Sequence, residues 1–239
     1  MAKIYRNKSM LKKNVFDKLL ITILFLLICI ISIILLIINL KNGIIIEICI
    51  SVLLVIGLFY SKKNYTRYKI LNSGLKGEKQ TIKILKQLPK NYYVLNNVYV
   101  KYKGRKKELD FIVIGPNGLF IVEVKNHKGE IVGNYNDEVL VQNKVGKNGG
   151  RYSKEFKNPL IQLNEQIVLT KNFLLSNNIN ININGMVYFS NDMSKLNING
   201  RNKDIISGKN NLISYIENKK ASKSYNKNYI MGIIQKLRT

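Results

Sequence analysis

Apolar residues are distributed along this chain in three distinct patterns. Residues 19–40 are an almost unbroken run of Ile, Leu and Phe, interrupted by Thr22, Cys29, Ser32 and Asn39. A helix of that length, at about 1.5 Å per residue, crosses a hydrocarbon core of roughly 30 Å. A polar turn at Lys41, Asn42 and Gly43 precedes a second apolar run, 44–60, with Glu47 near its outer end. These runs predict a two-helix membrane hairpin. The first run is too long for a cleaved signal peptide, and no small-residue cleavage site follows it. Basic residues lie before the first run (Lys3, Arg6, Lys8, Lys12, Lys13, Lys18) and after the second (Lys62, Lys63, Arg67, Lys69), whereas the turn holds only Lys41. That bias predicts two spans at 19–40 and 44–60, with both termini and the soluble region in the cytoplasm. The basic flanks also suit anionic lipid headgroups.

The second pattern is helical spacing. A basic linker is expected at 61–73. Beyond it, Leu75, Ile82, Leu85 and Leu88 predict a helix that Pro89 ends, with Gly74 and Gly77 at its start and Glu78 in its first turn. Asn158-Pro159 is a start signal for a second helix over 160–175, with Leu160, Leu163, Ile167, Leu169, Phe173 and Leu174 on its apolar face. Weaker helical spacing covers 211–218 and 229–237.

The third pattern is strand-like. Segments 92–102, 108–114, 118–125 and 185–190 are rich in Val, Ile, Phe and Tyr, and Gly, Pro and Asn break the second from the third. A short hairpin at 130–132 and 139–142 and a strand at 204–207 are weaker expectations. The remainder of 126–157 reads as a polar, Gly-rich section, and 177–184 as an Asn-rich connector. The order is helix, three strands, helix, strand, which implies a mixed sheet covered by helices, an α/β (α+β) fold.

Charge sharpens this picture. Asp110 interrupts an apolar strand, while Glu123 and Lys125, two apart on the next strand, share one face roughly 7 Å apart. Burying such groups is costly unless they pair or bind metal. The net charge of +25, from 39 Lys and Arg against 14 Asp and Glu, suits a polyanionic partner, either nucleic acid or an anionic membrane. The lysines are scattered, and an AT-rich coding bias accounts equally well for a chain so rich in Lys, Asn and Ile. Lys101, Lys103, Arg105, Lys106 and Lys107, on the turn before Asp110, are candidate phosphate contacts, with Tyr99 and Tyr102 as base-stacking or core residues. Cys29 and Cys49 lie in the apolar runs without zinc spacing and read as small apolar residues. The single histidine, His127, reads as a surface residue.

Taken one at a time, each charged residue also has a purely structural reading. Glu123 and Lys125 make a plausible ion pair, Asp110 suits Arg105 or Lys107, Glu78 suits a helix dipole, and Gln162 suits a helix surface.

The ordered set Gly77-Glu78, Glu108-Leu109-Asp110, the run from Gly118 to Asn126, Gly129, and Asn158-Pro159 with Gln162 resembles the nuclease-related domain, NERD, a branch of the PD-(D/E)xK nuclease superfamily. The resemblance covers residues 74–190, and residues 191–239 are expected to complete the domain. The family's usual tryptophan after the E-V-K strand is absent, since the chain has no Trp. The resemblance implies a restriction-endonuclease-like α-β-β-β-α-β core. It also implies a site in which Asp110, Glu123 and the backbone carbonyl of Val124 hold Mg2+ or Mn2+. Lys125 would be the motif lysine, Glu78 an acidic residue of the first helix and Gln162 a polar residue of the later one. The implied function is a membrane-anchored, metal-dependent nuclease acting on nucleic acid, with DNA ahead of RNA, and a homodimer is compatible with it. The alternatives are a non-catalytic nucleic-acid or partner-binding module tethered at the membrane, and a scaffold whose nuclease fold is a relic.

Overall fold

Alternating apolar residues in the middle of the chain build a central sheet in the computed structural model of this protein. The structure describes residues 1–38, 44–146, 149–200, 204–220 and 224–238. The turn expected at 41–43, with the last residues of the first apolar run, lies outside them. In chain order the elements are β1 (Lys3–Arg6), α1 (Met10–Ile38), α2 (Ile44–Leu85), β2 (Tyr93–Tyr102), β3 (Arg105–Gly115), β4 (Gly118–Lys125), β5 (Gly129–Asn134), β6 (Val139–Val145), β7 (Arg151–Lys157), α3 (Pro159–Ser176), β8 (Ile183–Phe189), β9 (Ser194–Asn199), β10 (Ile205–Ser207), α4 (Lys209–Asn218) and α5 (Lys227–Arg238). The chain forms two compact units, Ser9–Leu75 and the remainder.

In the larger unit the main sheet has the order β1-β2-β3-β4-β8-β10. β2, β3 and β4 form an antiparallel meander, and β1, β8 and β10 add in parallel. The crossover from β4 to β8 passes through α3, as expected of a parallel connection. One face packs Leu95, Ile112, Ile121 and Val187 against α3 and α5, and the other packs Val94, Phe111, Val122 and Tyr188 against Leu85, Leu88 and α4. Each such fully buried side chain contributes about 1.5–3 kcal/mol. A second, smaller sheet has the order β7-β6-β5-β9. It leaves β4 immediately after Lys125 and shares the α3-side core through Ile131, Leu140 and Ile198.

The mixed α/β architecture agrees with the sequence reading, and its details correct several points. Residues 61–73, expected as a basic linker, are helical. No helix begins at Gly74 or Gly77, because α2 runs unbroken from Ile44 to Leu85. Lys, Arg and Tyr are acceptable helix residues, and no proline interrupts them. Glu78 is therefore close to the end of a long helix and does not cap a new one. The N-terminal tail contains a strand, β1, which pairs Lys3 with Tyr93 and Arg6 with Asn96. The polar section at 126–157 contains three strands in place of one short hairpin. β9 adds a strand that the sequence reading did not assign, although Leu196 and Ile198 alternate with polar residues there.

In the smaller unit, α1 and the first part of α2 have an inverted distribution of residues. Thr22, Cys29, Ser32 and Gly57 are buried, while Ile23, Leu24, Ile30, Val52, Leu53 and Phe59 are exposed. A Cβ on Gly57 would lie 2.7 Å from Cys29 Sγ, so the helices approach at small residues. Both helices are long and apolar enough to cross a membrane. Cys29 and Cys49 are free thiols.

Candidate active site

The tight turn between β3 and β4 sets the register of the site. Gly118 has φ +132, and a Cβ there would lie 2.8 Å from the Asn182 carbonyl, so the turn requires glycine. From the turn, the pairs run Gly115 with Gly118 through Phe111 with Val122, and then the ladder ends. Asp110 and Glu123 would form the next pair. On the other side of β3, the ladder to β2 steps from Asn96–Phe111 to Val98–Leu109 and skips Asp110 with Asn97, which has φ 50. Leu95 and Val98 consequently reach the same core, as do Leu109 and Ile112. Strict alternation would not allow this. β3 is thus distorted at Asp110, and its carboxylate occupies the gap, where Oδ2 accepts the Val124 N–H at 2.8 Å.

Lys125's carbonyl accepts from Ser190 N on the β8 side at 2.9 Å. Carbonyls of neighbouring strand residues point to opposite edges, so the Val124 carbonyl points toward β3 and the same gap.

Glu123 is 2 % exposed. Its Oε1 accepts from Lys125 Nζ at 2.6 Å and its Oε2 from Gln166 Nε2 at 2.8 Å. Lys125 Nζ also donates to Gln162 Oε1 at 3.2 Å. Gln162 and Gln166 are one turn apart on α3, so one helix face supplies both. Asn158 fixes the start of that helix, its Oδ1 accepting from Leu160 N at 3.0 Å with Pro159 in the first turn. Gln166 Nε2 also donates to the Glu108 carbonyl at 3.0 Å, while its buried Oε1 has no partner.

Glu78 approaches from α2. The helix comes close at Gly77, where a Cβ would meet Ser190 Oγ at 2.6 Å and Asn126 Cβ at 2.8 Å. Burial, then the charges of Glu108 and Glu123, raise the Glu78 carboxyl to about 7. Burial, then Glu123, also push Asp110 well above the carboxylate range; Glu78 adds to this, while the Val124 N–H and Lys125 oppose it. Four carboxylates therefore interact around a single ammonium group. Among the described residues, no three His, Cys, Asp or Glu side chains are gathered into a ready-made metal site. The donor chemistry nevertheless fits a hard dication. The oxygens are those magnesium prefers, and a cation would offset the burial and mutual repulsion that raise Asp110 and Glu78. A dication that took a Glu123 oxygen would displace Lys125 or Gln166 from it.

Glu78, Asp110, Glu123, Lys125 and Gln162, picked out in the sequence, thus come to one end of the sheet. Gln166 and Glu108 join them. The one-turn spacing of Gln162 and Gln166 was the available signal for the first, and the two-residue spacing of Glu108 and Asp110 for the second. The basic turn is arranged differently. Lys107 pairs with Glu165 on α3, Lys106 lies over the Tyr99 ring at 4.3 Å and Lys103 over Tyr102 at 5.6 Å; Lys101 and Arg105 are exposed nearby. Asp110 pairs with neither Arg105 nor Lys107; Lys107 pairs with Glu165 instead, and Asp110 Oδ2 accepts from Val124 N–H. His127 is half-buried, its ring centroid 4.4 Å from that of Phe156, and burial lowers its pKa.

Comparison with known proteins adds three findings. The family model described as Nuclease-related domain, NERD, matches residues 73–190. An uncharacterized protein of Bacillus anthracis is 44% identical over 75 residues, which cover 30% of this chain and 33% of that relative. The chain thus spans about a third of the relative it matches. No solved structure matches.

Proposed function

From the premise that residues 73–190 form a nuclease-related domain, we propose that this protein is a membrane-anchored, metal-dependent nuclease that hydrolyses phosphodiester bonds, with DNA ahead of RNA as substrate. The observation that carries the reading is the convergence of Asp110, Glu123, Lys125 and Glu78, from β3, β4 and α2, at one end of the sheet. Asp110, Glu123 and the Val124 carbonyl are the residues to hold Mg2+ or Mn2+, with Glu78 placed for a second cation or its water shell. The bound cation supplies Lewis acidity and a more acidic water. Lys125, held between Glu123 and Gln162, orients the attacking water and stabilises charge on the phosphate. The water oxygen gives up a proton and bonds to phosphorus as the ester P–O bond breaks, and the departing oxygen takes up a proton. Gln166 holds Glu123 in place. Lys101, Lys103, Arg105 and Lys106 are exposed and available to phosphates, while Lys107 must first leave Glu165.

The apolar surface of α1 and of the first part of α2 supports a membrane hairpin. The chain leaves the main sheet at β1 and re-enters it at β2, so a hairpin between them returns to the side it left. With the lysine-rich flanks, this supports a cytoplasmic location for both ends. With Cys29 and Cys49 replaced by alanine, single cysteines introduced at Lys8 and Lys236 should be labelled by an impermeant maleimide only after cells are lysed.

The test of the chemistry uses the full chain in neutral detergent, because β1 belongs to the sheet. Wild type should cleave DNA with magnesium, and Glu123→Gln and Lys125→Ala should not. Equal cleavage by all three, or by none, removes the nuclease reading. A non-catalytic binding module is favoured by one observation: both Glu123 oxygens are satisfied by the chain itself. On that reading, nucleic acid binds with steep salt dependence and no metal requirement.

A further inference from the structure

The second sheet separates its charges by face. Directly paired residues share a face, so the rows of this sheet can be read from its register. Ile131, Gln142 and Lys154 form one row, and Lys144 with Tyr152 forms the next on the same side. The opposite side carries Glu130, Asn143 and Ser153 in one row and Val132, Val141 and Glu155 in another. Arg151, opposite Val145, and Lys157, opposite Val139, also lie there. Lys195 of β9, opposite Glu130, joins them, so that side sets two acids against three bases. The first side has lysines and no acid among the described residues, and neither Lys144 nor Lys154 forms an ion pair.

This basic side is joined to the candidate active site. Its inner end packs Ile131, Leu140 and Phe156 into or against the core. His127, two residues beyond Lys125, rests on Phe156 and meets Gln142 Oε1 through Nδ1 at 3.1 Å. Gln142 in turn donates to the Lys128 carbonyl at 2.7 Å. Lys128 and Lys154 are exposed, and Tyr152 is 53% exposed beside Lys144. Lys144 titrates low, through burial and then the charges of Lys154 and Lys128. Cations crowded together without an acid await an anion from outside.

The geometry points to this face of β5–β6–β7 as a shelf for single-stranded nucleic acid, its phosphates held by Lys128, Lys144 and Lys154 and one unstacked base lying on Tyr152. A stacking tyrosine needs a base free of its pair, which selects a single strand over a duplex. The inference rests on the nuclease reading for its direction: the shelf leads a strand to Lys125.

The test measures binding of fluorescent oligothymidylate by anisotropy in EDTA, using the full chain in neutral-lipid nanodiscs. Lys144→Ala with Lys154→Ala should weaken binding by about tenfold or more and reduce the slope of log affinity against log salt by about 1.4. Arg151→Ala with Lys157→Ala removes the same charge from the other face and should change binding little. Tyr152→Ala should weaken binding about tenfold with the slope unchanged. Equal effects of the two double variants, or none, overturn the shelf. So does loss of adhesion to phosphatidylserine vesicles while oligothymidylate binding persists, which would make the face a lipid contact. Binding in EDTA is independent of cleavage, so failure here leaves the nuclease reading intact, and absence of cleavage leaves this result standing.

Discussion

The backbone N–H of Val124 donates to Asp110 Oδ2 at 2.8 Å, at the point where the β3–β4 ladder has stopped. A side chain thereby takes the place of a backbone partner, and the opened ladder is what gives two carboxylates and a carbonyl access to the same space.

Asp110→Asn should separate stability from activity. Asparagine keeps an acceptor for Val124 and removes a buried carboxyl that Glu123 and Glu78 repel. The melting temperature of the metal-free protein at pH 8 should rise. Cleavage should fall more than a hundredfold, since a direct ligand matters more than the roughly 10–100-fold of an outer partner. A variant that is both active and unchanged in stability would contradict this account of the gap.

The metal-free protein should lose stability as pH rises. Glu78 titrates at about 7, above its ordinary 4.5, and Asp110 is raised as well. Between about 4.5 and 7 the folded chain holds protons that the unfolded chain has released, so the folded state is favoured at the acid end of the window. Thermal melts in EDTA should show a higher midpoint at pH 5 than at pH 8. Glu78→Gln should flatten part of that slope, and added magnesium should reduce the loss at pH 8.

Gln166→Leu should damage the site from behind. It leaves the Glu108 carbonyl and Glu123 Oε2 without their donor. A buried group left unpaired costs about 1–3 kcal/mol. Chemical denaturation should show that loss, and magnesium affinity measured by calorimetry should fall about 10–100-fold.

Gly77→Ala should act through position alone. The added methyl group meets Ser190 and Asn126 well inside contact distance. Overpacking of this kind costs about 1–3 kcal/mol. It would also push Glu78 away from Glu123, so cleavage should drop even where the protein remains folded. Gly232→Ala on α5, where a Cβ meets nothing within 4 Å, is the matched control.

Much of this architecture was legible from local pattern. The alternation around Glu123 and Lys125 put both on one face, and α3 places the Gln162 amide beside them. The Gly115 to Gly118 turn announced the hairpin, and Asn158-Pro159 announced α3. β7 was not legible, because Arg151 to Lys157 has no apolar alternation; its backbone pairing with β6 makes it a strand. β1 was missed because four residues, Lys-Ile-Tyr-Arg, are too short to show an alternation until β2 offers an edge.

The chain's own pattern determined the two apolar helices, the central strands and the identity of the charged residues, because burial periodicity and turn chemistry are local properties. Tertiary structure decided that α2 continues past Gly77, that β3 breaks its ladder at Asp110, and that Gln166 supports Glu123. Those outcomes depend on which distant groups compete for the same hydrogen bonds and space. Such competition is settled only when the sheet, α2 and α3 meet.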